Sequence, residues 1–222
     1  KQFTLGGNGE AYGASTDSGA GWAYKADNGF AISSNVVSKQ NGSIIKGLLT
    51  NESATSWASQ VGYTADRWSV SALVNQKYNG WSDTYYHSLG HTPRSGGTNY
   101  TSYGVRSWWR PAETGTVTPS ISLGYDETNY ADAPGDSDSS NAYFVGLTWQ
   151  DMFQADDRIG FAFGQPTQNE DEGVTPLAYE AYYSFKANDS ITITPTVFGG
   201  YDRNGTDKED IFGAILETTF KF

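Results

Sequence analysis

Cysteine is absent from this 222-residue chain and methionine occurs once. That excludes a disulfide scaffold, an iron–sulfur centre and a Cys-based zinc site. Charge is scarce, at 18% of residues, and Lys and Arg number 14 against 25 Asp and Glu. So acidic a chain lacks the basic footprint of a nucleic-acid binder and has no electrostatic pull toward anionic lipid. Long apolar runs are missing: the longest, counting glycine, span six residues, as in Ile159–Gly164 and Ile211–Leu216. A transmembrane helix needs about 20. No segment sustains an apolar i, i+3, i+4 pattern, so no helix is expected.

Aromatics, by contrast, are abundant, with 15 Tyr, 11 Phe and 7 Trp, and such a composition argues against disorder. The dominant pattern is period two, the signature of strands. Near the C-terminus Phe212, Ala214, Leu216, Thr218, Phe220 and Phe222 share one face, opposite Gly213, Ile215, Glu217, Thr219 and Lys221. Leu177 to Phe185, Ile159 to Phe163, Tyr143 to Trp149, Val117 to Tyr125 and Trp68 to Tyr78 repeat the pattern, with weaker copies from Trp22, Phe30, Trp57 and Tyr103. Short connections (Asp27-Asn28, Ala65-Asp66, Pro111–Gly115, Asp151–Asp157, Asn188-Asp189) alternate with long ones near 40–54, 79–99, 127–141, 167–175 and 202–210. Alternation of this kind predicts an all-β, up-and-down antiparallel meander of eleven strands, with a twelfth near 3–13. Tight turns on one edge and long loops on the other are the asymmetry of a transmembrane outer-membrane β-barrel. Pro119 and Pro195 fall inside predicted strands, where a missing N–H breaks the ladder.

The faces carry a second signal. Trp68, Trp109, Trp149, Phe185, Phe220 and Phe222 lie beside the short turns or at the terminus, and Trp57, Tyr78, Tyr125, Tyr143, Tyr201 and Phe212 beside the long loops, with aliphatics between. Two aromatic girdles around an aliphatic band suit a surface that faces outer-membrane lipid. Twelve charges fall within the strands, all on the opposite face: Lys25, Lys39, Arg67, Lys77, Arg106, Arg110, Asp126, Arg158, Glu180, Lys186, Glu217 and Lys221. Nine are basic, which leaves 5 basic and 22 acidic residues for loops and turns. If that face lines a lumen, Lys25, Arg67, Arg110, Arg158, Lys186 and Lys221 form a basic ring at the short-turn mouth. Arg106, Glu180 and Glu217 line the pore above it. Arg and Lys rings favour anions; a merely solvated charged face is the alternative.

Four segments in the C-terminal half carry a family resemblance: Arg158–Pro166 (RIGFAFGQP), Leu177–Phe185 (LAYEAYYSF), Ser190–Phe198 (SITITPTVF) and Asp210–Phe222, which ends TTFKF. In this order they resemble the cyanobacterial OprB-like porins, the iron uptake porin group; weaker likeness reaches back to Ser18–Trp22 and Tyr63–Val70. The resemblance implies a porin domain over 1–222, without the family's N-terminal strands and anchoring domain, and a full barrel of about sixteen strands. It also implies a homotrimer, passive diffusion of small polar solutes and inorganic ions, no cofactor, and an assembly signal in the terminal aromatics Phe220 and Phe222.

Other chemistry has less support. His87 and His91 have metal-ligand spacing, but Gly90 and Pro93 make this a loop, and zinc needs three or four ligands. No metal site is therefore expected. A soluble β-jelly-roll glycoside hydrolase would share the composition, with Glu180 and Glu217 as a retaining pair about 5 Å apart. A structural outer-membrane barrel, plugged by the 79–99 loop, is a further alternative.

Overall fold

The computed structural model describes residues 18–39, 50, 53–79, 81, 99–130, 139–169, 173–202 and 210–221. Eleven strands run in chain order: β1 (Ser18–Lys25), β2 (Phe30–Lys39), β3 (Ala54–Thr64), β4 (Trp68–Tyr78), β5 (Tyr100–Trp109), β6 (Ser120–Tyr130), β7 (Ser139–Gln150), β8 (Arg158–Asn169), β9 (Leu177–Asn188), β10 (Ile191–Tyr201) and β11 (Ile211–Phe220). They form one sheet in which each strand pairs antiparallel with its sequence neighbours. The expected meander is therefore present. Among the described residues β1 and β11 do not pair with each other. The expected twelfth strand near 3–13 lies outside the described residues.

The sheet is inverted relative to a soluble protein. Its few buried apolar residues are small (Ala54, Ala58, Ala142, Ala162 and Ala178) apart from Leu73 and Trp81. Fully buried side chains include Asn75, Lys77, Ser102, Asp126, Thr128, Ser140 and Glu180, all on one face, the inner one. Trp22, Trp57, Val61, Val74, Val105, Leu123, Phe161, Val197 and Leu216 stand exposed on the other. A soluble monomer rarely exposes so continuous an apolar surface.

Four cross-strand pairs set an aromatic ring over a glycine directly opposite: Phe144 over Gly124, Tyr182 over Gly160, Phe198 over Gly213 and Tyr179 over Gly199. Each ring takes the volume a β-carbon would need. Such pairing covers exposed backbone and fixes register.

Strand limits differ from the sequence reading in three places. β6 runs on to Tyr130 and β7 starts at Ser139, so the expected 127–141 loop shrinks to 131–138. β8 continues to Asn169 through a bulge, where Asn141 pairs with Gln168 but Tyr143 with Gln165, and Pro166 sits in the extra step. That leaves 170–176 as the connection, where 167–175 was expected. The β5–β6 turn is longer than expected, at 110–119. Pro119 is excluded from β6, and Val117 is 87% exposed instead of in a strand, its carbonyl accepting Trp149 Nε1 at 2.8 Å. The alternation of connection lengths is thus looser than the sequence implied. Pro195 does lie within β10, and there the ladder to β9 lapses between Ile193 and Thr196 while that to β11 continues. A side-chain bond from Thr194 Oγ1 to Ser184 Oγ, 2.9 Å, spans the gap.

Candidate functional site

The register places every described girdle residue on the outer face. Trp68 and Trp109 are directly opposite each other at the short-turn edge, and Trp149, Phe185 and Phe220 continue that edge. Tyr78 and Phe212 lie at the long-loop edge. From Trp68 to Tyr78, ten residues rise about 33 Å at about 3.3 Å each. A strand tilt of about 40° reduces this to about 25 Å, the height of a barrel's apolar band. Tyr125 and Tyr143, expected beside a long loop, face each other in mid-strand instead. Beyond them the outer face turns polar, with Glu127, Asn129 and Asn141. There the apolar band ends before the strands do. Glu127 accepts Tyr125 OH at 2.9 Å.

Lys25, Arg158, Lys186 and Glu217 are exposed on the inner face, and Arg67, Arg110 and Lys221 are exposed at its short-turn margin. Arg110 N donates to Arg67 O (2.9 Å), which extends the β4–β5 ladder and places the two arginines opposite each other. Arg110 also donates to Asp66 O (2.7 Å) and lies 5.5 Å from the Trp108 ring. Lys186 Nζ pairs with Asp156 Oδ2 at 2.5 Å. The six expected basic residues do share one edge. Around them Asp27, Asp66, Glu113, Asp151, Asp156, Asp157 and Asp189 occupy the turns of the same edge, among the acidic residues counted for loops and turns. The basic band therefore sits inside an acidic margin.

Asp157 organises one of those turns. Its Oδ1 accepts Met152 N (2.8 Å), and its Oδ2 accepts Phe153 N (3.0 Å), Gln154 N (3.1 Å) and Tyr183 OH (3.0 Å). Burial pushes the Asp157 carboxyl up, but the three backbone donors and the Tyr183 hydroxyl outweigh it and hold the group below the usual carboxylate range. Hydrogen bonding and charge from Lys186 lower Asp156 likewise.

Higher on the inner wall, two expected pore residues are less free than the sequence suggested. Arg106 makes a two-pronged pair with Asp126 (NH1–Oδ1 2.7 Å, NH2–Oδ2 2.6 Å), so the two charges largely cancel. Glu180 is fully buried. Lys77 Nζ donates to Ser102 Oγ (3.0 Å), which bonds Thr128 Oγ1 (2.7 Å), and Ser56 Oγ donates to Asn75 Oδ1 (2.9 Å). Asn75, Ser102 and Thr128 were not singled out from sequence, because isolated Asn, Ser and Thr on a strand carry no motif. Trp81, just past β4, is buried among Ala54, Val37 and Tyr100, with Lys39 Nζ 4.4 Å from its ring. His87, His91 and Phe222 lie outside the described residues. Among the described residues no group of three His, Cys, Asp or Glu converges as a metal site would.

Glu180 and Glu217 do not form the retaining pair. Glu180 is level with Phe198 and Gly213, whereas Glu217 lies four residues farther along β11, two strands away. At about 4.8 Å per strand and 3.3 Å per residue, their Cα atoms are about 16 Å apart. Retaining carboxyls need about 5 Å. The uncrossed meander likewise replaces the jelly roll.

The chain matches no protein-family model and no curated protein. Its structure is similar to the outer-membrane expressed OmpT of Vibrio cholerae, at 14% sequence identity and a TM-score of 0.61, over 97% of this chain and 70% of that one. The fold is thus that of an up-and-down antiparallel outer-membrane β-barrel.

Proposed function

We propose that this chain is an outer-membrane porin through which small hydrophilic solutes and inorganic ions diffuse passively, with no covalent chemistry and no cofactor. One observation carries the reading: an exposed aromatic and aliphatic face backs onto a face of buried and charged polar residues, the reverse of a soluble core. The OprB-like motifs support it further. The resemblance puts the barrel at about sixteen strands, and this chain spans 70% of the OmpT chain it matches.

Homotrimer formation belongs to the same proposal. It is supported by a polar patch at mid-strand on the outer face, where Trp57 Nε1 donates to Ser34 Oγ (2.9 Å) and Ser34 bonds Ser59 (3.0 Å). Hydroxyls there suit a protein neighbour better than lipid tails.

The test is single-channel recording of purified protein in a planar bilayer under a salt gradient. Discrete conductance steps support the porin. Their absence from folded, detergent-dependent protein overturns it in favour of a structural barrel. An anion-leaning reversal potential that Arg158→Glu moves toward cations assigns selectivity to the basic band. A cation-leaning one assigns it to the acidic rim.

A further inference from the structure

We propose that the inner wall of β1–β4 holds small uncharged polyhydroxylated solutes in a recess centred on Gln60. The inference rests on the reading of that face as a pore wall. Two cavities of about 410 Å³ each open on this wall, and they share Ala23, Ser33 and Gln60. Each falls within the range of about 300–1,000 Å³ typical of small-molecule sites.

The register explains the depth. Ser33 pairs with Ala23 on β1 and with Gln60 on β3. In the flanking inner-face rows Asn35 stands between Gly21 and Ala58, and Ala31 lies opposite Gly62. Side chains this small leave the wall hollow. On the same face β5–β9 carry Arg106, Trp108, Phe144, Arg158 and Tyr182, whose bulk fills the space in front of their strands.

Amides and hydroxyls line the hollow. Among the described residues the side chains of Ser33, Asn35, Gln60 and Ser71 make no hydrogen bond to protein. Asn35 is exposed, and Ser33, Gln60 and Ser71 are half-buried, so their donors and acceptors remain open to the lumen. An amide offers two donors and an acceptor oxygen, and a serine hydroxyl offers both roles at one atom. Asn35 and Gln60 lie diagonally on neighbouring strands, about 7–8 Å apart at the backbone. That spacing lets each amide take a pair of hydroxyls on one ligand, accepting from one and donating to the other. Among the described lining residues the one charge is Lys25, at the short-turn end. An inorganic ion gains little from such a wall over its own hydration shell. A neutral ligand with several hydroxyls exchanges water for matched partners and pays no desolvation penalty for charge.

The experiment is titration with sucrose of folded protein in a detergent without a sugar headgroup, read by saturation-transfer NMR. Wild type should bind saturably and, because no charge is engaged, equally at low and high salt. Gln60→Met keeps the length of the side chain but loses the amide; it should weaken binding about tenfold. Ser33→Trp should fill the hollow and abolish binding. Gln76→Met removes an amide from the outer face of β4 and should bind as wild type does. Because Gln60→Met is nearly isosteric, it tests the recess even where Ser33→Trp does not fold. No saturable binding by wild type, equal binding by Gln60→Met, or binding that salt removes overturns the recess whether or not the protein conducts. Binding that Gln60→Met weakens, in a protein silent in bilayers, supports the recess and overturns the pore.

Discussion

The ring of Tyr182 lies across Gly160, the residue directly opposite it on the neighbouring strand, and fills the space where a side chain on Gly160 would begin. Gly160→Val should displace the ring and strain both strands, costing about 1–3 kcal/mol as overpacking does. The matched control is Gly146→Ala. A β-carbon there would meet only ordinary contacts, Ser122 Cβ at 3.7 Å and Ser122 O at 3.9 Å. Denaturant unfolding in detergent, with heat-modifiable gel mobility as the assembly readout, should show a large loss for Gly160→Val and little for Gly146→Ala. Equal losses would remove the ring-over-glycine contact as a structural device.

On the proposed reading, lipid meets only the outer face, so the two sides of β4 respond oppositely to charge. Val74 points outward near mid-strand and Ser71 points inward. Val74→Arg should cost about 2–4 kcal/mol, the price of a basic side chain near the bilayer midplane. Ser71→Arg should leave folding nearly unchanged, because its side chain stays among polar groups. Folding yield into lipid vesicles separates the two, and tolerance of Val74→Arg would mean that this face does not meet lipid.

Faces and connections were legible in the sequence because period two is a backbone property: Trp68, Val70, Ala72, Val74 and Tyr78 share a side whatever surrounds them. Strand ends were less so. Polar alternation in 127–129 and 139–141 looks like loop composition, yet these residues pair across β6 and β7, and the ladder continues past the apolar band. The basic band and the acidic turns could both be counted, but not the pairing between them, since only the register brings Lys186 to Asp156, 30 residues earlier. The Asn75 amide, the Lys77–Ser102 bond and the Arg106–Asp126 pair depend on neighbours 19 to 25 residues apart. Single polar residues on separate strands announce no partnership until pairing fixes it.

The carboxylate at Asp157 makes the β7–β8 turn sensitive to acid. Its folded-state pKa is depressed, so its stabilising contribution is complete above the unfolded value of about 4 and fades as pH falls through the lower folded value. Asp157→Asn removes the charged acceptor of four hydrogen bonds. The variant should be less stable than wild type at neutral pH, and the difference should shrink progressively below about pH 4. Unfolding midpoints measured across that range check the sign, and a difference that grows on acidification would contradict the depressed pKa.

Trp81 decides between an open porin and a barrel that conducts little. Its ring is fully buried against the inner-face residues Val37, Ala54 and Tyr100, beneath the Lys39 ammonium, and its backbone N–H donates to Tyr78 O at 3.2 Å. In the proposed porin, a tryptophan seated on the inner wall takes up cross-section that solute would otherwise use. Trp81→Ala should therefore widen the passage and raise single-channel conductance, while leaving the outer face intact. It should also destabilise the fold by about 3–5 kcal/mol, the usual cost of truncating a buried tryptophan. The conductance comparison is thus made on protein shown to be folded by heat-modifiable mobility. Unchanged conductance in folded Trp81→Ala would place the narrowest point of the pore elsewhere on the wall, with the Lys77–Ser102–Thr128 row the next to test.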